Sequence, residues 1–132
     1  MPAVSFSGAT SRGPFWQQIL LGLKSQTCRK PRKRPIREGD LLKLYWKQRI
    51  PKDKKPIHFI GYAKCIKVER KKYREFAYDD EFARRDGFKD SAELREWFGD
   101  PEICRDEEYE VICFKFLGKA GAPTSRRGDA IE

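Results

Sequence analysis

Leu41-Leu42-Lys43-Leu44-Tyr45-Trp46 and Ile57-His58-Phe59-Ile60-Gly61-Tyr62-Ala63-Lys64-Cys65-Ile66-Lys67-Val68 decide the architecture of this chain. Both runs place apolar side chains at a period of two, which is the signature of strands with one buried face. In the longer run Ile60 and Tyr62 share a phase with Ile66 and Val68, but Lys64 interrupts it. A β-bulge near Cys65-Ile66 accounts for the break. Residues 48–55, charged and broken by Pro51, separate the two strands as a loop.

Working outward, residues 3–6 read as a short first strand and residues 7–13 as a polar loop. Pro14 suits the first turn of a helix that spaces Phe15, Ile19 and Leu23 on one side, and Gly22 suits its end. Residues 24–29 are extended, and two prolines forbid a helix across 29–37. Residues 73–86 mix aromatic and acidic side chains and are expected to be irregular with helical turns. Asp90 or Ser91 caps a short helix with Leu94, Trp97 and Phe98 as its buried stripe, ended by Gly99-Asp100-Pro101. Residues 109–117 form the last strand, with Ile112, Phe114 and Phe116 on one face. The predicted fold is mainly β (α+β), a small β-barrel of about five or six strands with two short helices. Helices do not alternate regularly with strands, which argues against a doubly wound sheet. One domain over residues 1–118 and a flexible tail over 119–132 are expected.

Bulk composition sets limits on function. The 132 residues include nine Phe, five Tyr and three Trp, enough for a core without disulfide or metal support. The longest apolar run, Ile19-Leu20-Leu21, is far too short for a bilayer span. No export signal is read, so a cytoplasmic monomer away from membranes is expected. Cys28, Cys65, Cys104 and Cys113 lack close spacing, and only His58 could join them, so neither metal nor cofactor is expected. His58 has no Ser, Cys or Asp partner in view and reads as structural or merely exposed. Cys28 lies among cations expected to favour its thiolate.

Charge is divided unevenly. Residues 1–74 hold 20 Lys and Arg against 4 Asp and Glu, a balance of +16, whereas residues 75–132 hold 9 against 16, a balance of −7. No basic amphipathic helix is present, so the basic half is expected to meet nucleic acid rather than a membrane. Its densest part, Arg29-Lys30-Pro31-Arg32-Lys33-Arg34-Pro35-Ile36-Arg37, is a stiff cationic loop. With Lys52, Lys54 and Lys55 of the second loop, its side chains Arg29, Lys30, Arg32, Lys33, Arg34 and Arg37 are candidates for backbone phosphates.

Just before it stands Gly22-Leu23-Lys24-Ser25-Gln26-Thr27-Cys28-Arg29, a Gly-x-Lys-x-x-Thr-x-Arg pattern. An amine, a hydroxyl and a guanidinium so closely spaced can hold a phosphate, a carboxylate or a base edge. Simpler roles also fit each residue. Lys24 suits a helix C-terminus, Thr27 a plain strand position, and Arg29 an ion bridge to Asp40 or Asp86. Trp46 reads as core, while Tyr45, on the opposite phase, suits base stacking.

The strand Val4-Ser5-Phe6, the Gly-x-Lys-x-x-Thr-x-Arg pattern, Ile36-x-x-Gly39-Asp40-x-Leu42, Ala83-x-x-Asp86-Gly87-Phe88 and the closing Val111-Ile112-x-Phe114-Lys115 occur in the order found in the ASCH domain family. The chain resembles that family over residues 3–118. The resemblance implies a PUA-like β-barrel associated with RNA binding and RNA modification. A ligand cleft of Lys24, Thr27, Arg29 and Asp86 is expected, with Tyr45 and Lys115 as further ligand-binding candidates. Some members are amidohydrolases of N4-acetylcytidine, in which a Lys base and a Thr nucleophile are completed by a Glu. By motif match the catalytic set would be Lys24, Thr27 and Asp86, the last one methylene shorter than the Glu it replaces, by about 1.3 Å, a scale to which catalytic geometry responds. Cationic neighbours would push the Lys24 pKa down toward a base, whereas Asp86 would hold it charged. Three functions follow as expectations: binding of RNA or a nucleotide-derived ligand, hydrolysis of an acylated cytidine, and docking of an acidic protein.

Overall fold

A computed structural model describes residues 1–47 and 57–119, with the side chains of residues 47, 57 and 58 left aside. The second basic loop, with Lys52, Lys54 and Lys55, and residues 120–132 of the expected tail lie outside the described residues, as does the side chain of His58.

In chain order the elements are β1 (Ala3–Phe6), β2 (Ala9–Thr10), β3 (Gly13–Pro14), α1 (Phe15–Leu20), β4 (Gln26–Arg29), β5 (Leu41–Lys47), β6 (Ile57–Lys72), α2 (Asp80–Arg85), α3 (Ser91–Phe98), α4 (Pro101–Cys104) and β7 (Glu108–Gly118). A 3-10 turn over Tyr73–Glu75 follows β6. Five strands form one sheet in the order β1-β5-β6-β7-β4, parallel only between β1 and β5, and β2 pairs with β3 as a small hairpin. The fold is mainly β, as the alternation predicts.

The sheet curls into a half-barrel. If it were flat, its edge strands β1 and β4 would lie roughly 19 Å apart at the usual strand spacing. Instead the Arg29 guanidinium on β4 donates to the Ser5 carbonyl on β1 at 2.5 Å. Register shifts supply the bend: one between Leu44 and Tyr45, one between Tyr62 and Ala63, and one between Cys65 and Lys67. The last leaves Ile66 as the extra residue, where the broken alternation placed it. Gly61 holds φ +152°, and a Cβ there would stand 2.7 Å from the Phe116 ring, so the backbone itself forms the floor under that ring.

Inside the curl, Leu42, Leu44, Ala63, Cys65 and Ile112 are fully buried against Phe15 and Ile19 of α1. A second, aromatic cluster joins the helices to the sheet: Phe76 stacks on Phe82 at 4.5 Å, and Phe98 on Tyr109 at 5.2 Å. The Tyr73 hydroxyl donates to the Gly99 carbonyl at 2.6 Å.

Several elements depart from the expectation. β6 runs four residues past Val68, because its charged end is paired with β7: Arg70 lies opposite Glu110, and its guanidinium bonds Glu108 at 3.3 Å. Pro101 does not merely stop α3. It begins α4, whose Asp100 cap accepts from the Glu102 amide, a position where proline loses no hydrogen bond. Trp97 is not core but 49% exposed, since Leu94 and Phe98 take the inward side of α3. No helix among the described residues is long and apolar enough to cross a membrane.

Candidate functional site

The gap between the two sheet edges is a cleft of about 190 Å³, lined from β1 by Ser5, Phe6 and Ser7 and from β4 by Thr27, Cys28 and Arg29. Lys24, Asp86 and the aromatic rings of Phe15, Phe88, Trp97 and Phe98 close it. That volume exceeds the ~150 Å³ that holds a benzene ring in an apolar cavity.

Lys24 and Asp86 meet although 62 residues separate them. Past α1 the Leu23 and Lys24 amides both turn back onto the Gln18 carbonyl, and the Ser25 amide donates to the Arg85 carbonyl at 3.0 Å. That bond fixes the chain beside the C-terminal end of α2, which Asp86 caps. The Lys24 ammonium donates to the Asp86 backbone carbonyl at 2.5 Å and lies 3.8 Å from its carboxylate. It also sits 4.6 Å from the Phe15 ring centre and 5.8 Å from that of Phe6. Both side chains of the pair are nearly buried, so each charge has lost most of its water.

Burial dominates their titration. It raises the Asp86 carboxyl from the ordinary 3.8 to about 6, against the pull of Lys24, Arg29 and hydrogen bonds from Cys28 and Gln26. It also lowers the Lys24 ammonium, with Asp86 opposing and Arg29 a minor contributor. Both shifts run toward the neutral forms, as expected when the ammonium sits closer to a backbone carbonyl than to its counter-ion.

Thr27 and Arg29 alternate on β4 and share a face, so the Arg29 Nε donates to the Thr27 hydroxyl at 3.2 Å. The guanidinium also lies 5.0 Å over the Phe6 ring. It forms no ion bridge to Asp40 or Asp86 within contact distance; its partners are Ser5 and Thr27. Cys28 corrects an expectation. Burial, followed by the neighbouring Asp86, raises its thiol well above the ordinary range despite Lys24, so the thiolate is disfavoured. Its Sγ points to the Asp86 carboxylate at 3.8 Å.

Lys24, Thr27, Arg29 and Asp86 therefore converge, while Tyr45 and Lys115 lie elsewhere. Tyr45 packs on Phe59 at 5.5 Å on the outer side of the sheet, and Lys115 is exposed on β7. In the 29–37 loop Arg32, Lys33, Arg34 and Arg37 are exposed, whereas Lys30 pairs with Glu107 at 2.5 Å. No cluster of three or more His, Cys, Asp or Glu able to hold a metal exists among the described residues.

The aromatic walls escaped sequence reasoning, because Phe15 and Trp97 read as ordinary helix-face positions and Phe88 only as part of a motif. A hint was available in Gly8. It holds φ +100°, and a Cβ there would meet the tip of the Trp97 ring at 2.8 Å, so the edge of the indole abuts bare backbone beside the cleft. Compared with known proteins, the chain matches no protein-family model, no curated protein and no solved structure.

Proposed function

We propose that this protein binds RNA or a nucleotide-derived ligand, taking one base into the cleft between β1 and β4 while the 29–37 loop holds phosphate. The observation that carries this reading is the convergence of a carboxylate, two cations and several aromatic walls on one ring-sized hollow. A carboxylate accepts from the exocyclic amine of cytosine, and cationic donors suit its ring carbonyl. Rings of Phe15, Phe88 and Trp97 line the hollow, and the half-exposed Trp97 indole offers an apolar surface for the base. Exposed Arg32, Lys33 and Arg34 lie in the loop that continues from Arg29.

Titration with cytidine 5′-monophosphate and a 12-nucleotide single-stranded RNA tests it. Asp86→Asn is expected to abolish selectivity for the cytosine base. Arg32→Ala, Lys33→Ala and Arg34→Ala together are expected to flatten the salt dependence of RNA binding by about 2 in the log–log slope. Absence of binding by the unchanged protein at low salt would overturn the reading.

One observation also favours a hydrolytic reading. Burial lowers the Lys24 ammonium, which makes a neutral amine accessible as a base. In that chemistry Lys24 takes the Thr27 hydroxyl proton as Oγ bonds the acyl carbon of N4-acetylcytidine. The carbon–N4 bond breaks, the proton passes to the departing amine, and water then cleaves the acyl-Thr27 ester. Acetate release that vanishes in Thr27→Ala would establish it; no release by the unchanged protein would refute it.

A further inference from the structure

The outer face of the sheet carries a second constellation. Tyr45 lies opposite Phe59 and Lys43 opposite Tyr62 across β5 and β6, and Lys64 lies opposite Lys115 across β6 and β7. Directly paired residues share a face, and so do residues two apart on a regular strand, which places these six side chains on one surface. The rings of Tyr45, Phe59 and Tyr62 form a continuous row, with centres 5.5 Å and 5.0 Å apart. All three are half-buried, Lys43 likewise, and Lys64 and Lys115 are exposed.

The cations of the same ribbon are treated differently at its two ends. Toward the far end Lys67 pairs with Glu69 at 2.8 Å, Arg70 with Glu108 at 3.3 Å, and Arg74 with Asp106 at 2.9 Å. At the aromatic end Lys43, Lys64 and Lys115 have no acidic partner among the described residues. Two like charges directly opposite each other weaken a strand pair unless an anion lies between them. An acidic peptide would answer the charge, but it has no use for a row of three rings. Unpaired bases stack on such rings while their phosphates meet the cations.

The position of this face relative to the cleft matters most. Ser5 lines the cleft and is the register partner of Tyr45 on the neighbouring strand. The backbones of Ser5 and Tyr45 are thus one strand spacing apart, roughly 4.8 Å, so a chain leaving the cleft over the β1 edge reaches the outer face at Tyr45. We propose that the outer face of β5, β6 and β7 is a stacking platform for single-stranded RNA, so that a strand with one base in the cleft lays neighbouring bases over Tyr45, Phe59 and Tyr62. The proposal rests on the cleft reading above and makes the ligand a polynucleotide rather than a free nucleoside.

Fluorescence anisotropy with a labelled 12-nucleotide C/U-mixed single-stranded RNA, beside calorimetry with cytidine 5′-monophosphate, separates the two sites. The variant carrying Lys43→Gln, Lys64→Gln and Lys115→Gln is expected to bind the mononucleotide within twofold of the unchanged protein. Its affinity for the 12-mer should fall at least tenfold, with a salt slope smaller by about 2. Tyr62→Leu, which keeps an apolar side chain, should weaken the 12-mer fivefold or more without altering mononucleotide affinity. Thermal melts of both variants confirm folding. Unchanged 12-mer binding by the lysine variant overturns the platform and leaves the cleft reading standing. No binding of either probe by the unchanged protein overturns both. A 12-base-pair RNA duplex, or poly-glutamate of equal charge, binding as tightly as the single strand overturns the stacking role, the second in favour of an acidic protein partner.

Discussion

Asp86→Asn tests the balance of forces on which the cleft depends. Two effects compete at this carboxylate. Attraction to the Lys24 ammonium at 3.8 Å would be worth about 4 kcal/mol at an effective dielectric constant of 20. Removal of the carboxylate from water costs several kcal/mol and works against it. Burial wins, because the carboxyl rises from 3.8 to about 6, equivalent to about 3 kcal/mol. The sign follows from proton binding. Between pH 4 and 6 the folded state holds the Asp86 proton more firmly than the unfolded chain does. Its contribution to stability is therefore full below pH 4 and falls away as pH rises through about 6. Other carboxylates act oppositely, for Glu69, Asp80 and Glu93 are held below their ordinary values by hydrogen bonds or ion pairs. Subtracting the urea-unfolding free energy of Asp86→Asn from that of the unchanged protein at each pH cancels them. The difference should move by about 2.5 kcal/mol in favour of the unchanged protein from pH 7 down to pH 4, starting as pH falls through about 6 and half complete near pH ~5. A flat difference, or a carbon-13 titration of the Asp86 carboxyl with its midpoint below 4, would refute the primacy of burial.

Trp97→Ala should reduce affinity for cytidine 5′-monophosphate fivefold or more while lowering stability modestly. The half-exposed indole contributes two ring contacts, to Phe15 at 5.4 Å and Phe88 at 6.0 Å, each worth ~0.5–1.5 kcal/mol; calorimetry and a urea melt read both effects. Gly61→Ala should cost at least ~2 kcal/mol in a urea melt, since it combines a positive φ with a Cβ set against the Phe116 ring. Phe116→Leu in the same chain should recover only the part due to the clash. Cys28 should react with iodoacetamide at pH 8 more slowly than Cys104 and Cys113, which are half-buried like it, by peptide mapping, because burial disfavours its thiolate. Rapid labelling there would show that Lys24 governs the thiol instead.

Much of the fold was legible because strand alternation is a local property. Leu42 and Leu44 are buried where their period placed them, and the interruption at Lys64 marked a real bulge. Legibility ended where a residue's environment came from distant chain. The extension of β6 through Lys72 depends on acids of β7, and Pro101 begins a helix because Asp100 caps it. Trp97 occupies a helical position that fits a core stripe, yet its neighbour is the bare backbone of Gly8, which no periodicity reveals. Cys28 sits beside cations in the chain and beside a carboxylate in space.

The sequence by itself determined a mainly β chain with a cationic loop and a Lys-x-x-Thr-x-Arg segment, since alternation and charge spacing act over a few residues. Only the tertiary structure decided that the sheet curls far enough for Arg29 to reach Ser5, that Asp86 comes to face Lys24, and that Tyr45 and Lys115 face outward away from them. Curvature sums small register shifts over the whole sheet, and burial, which sets the charge state of the cleft, is a property of everything packed around it.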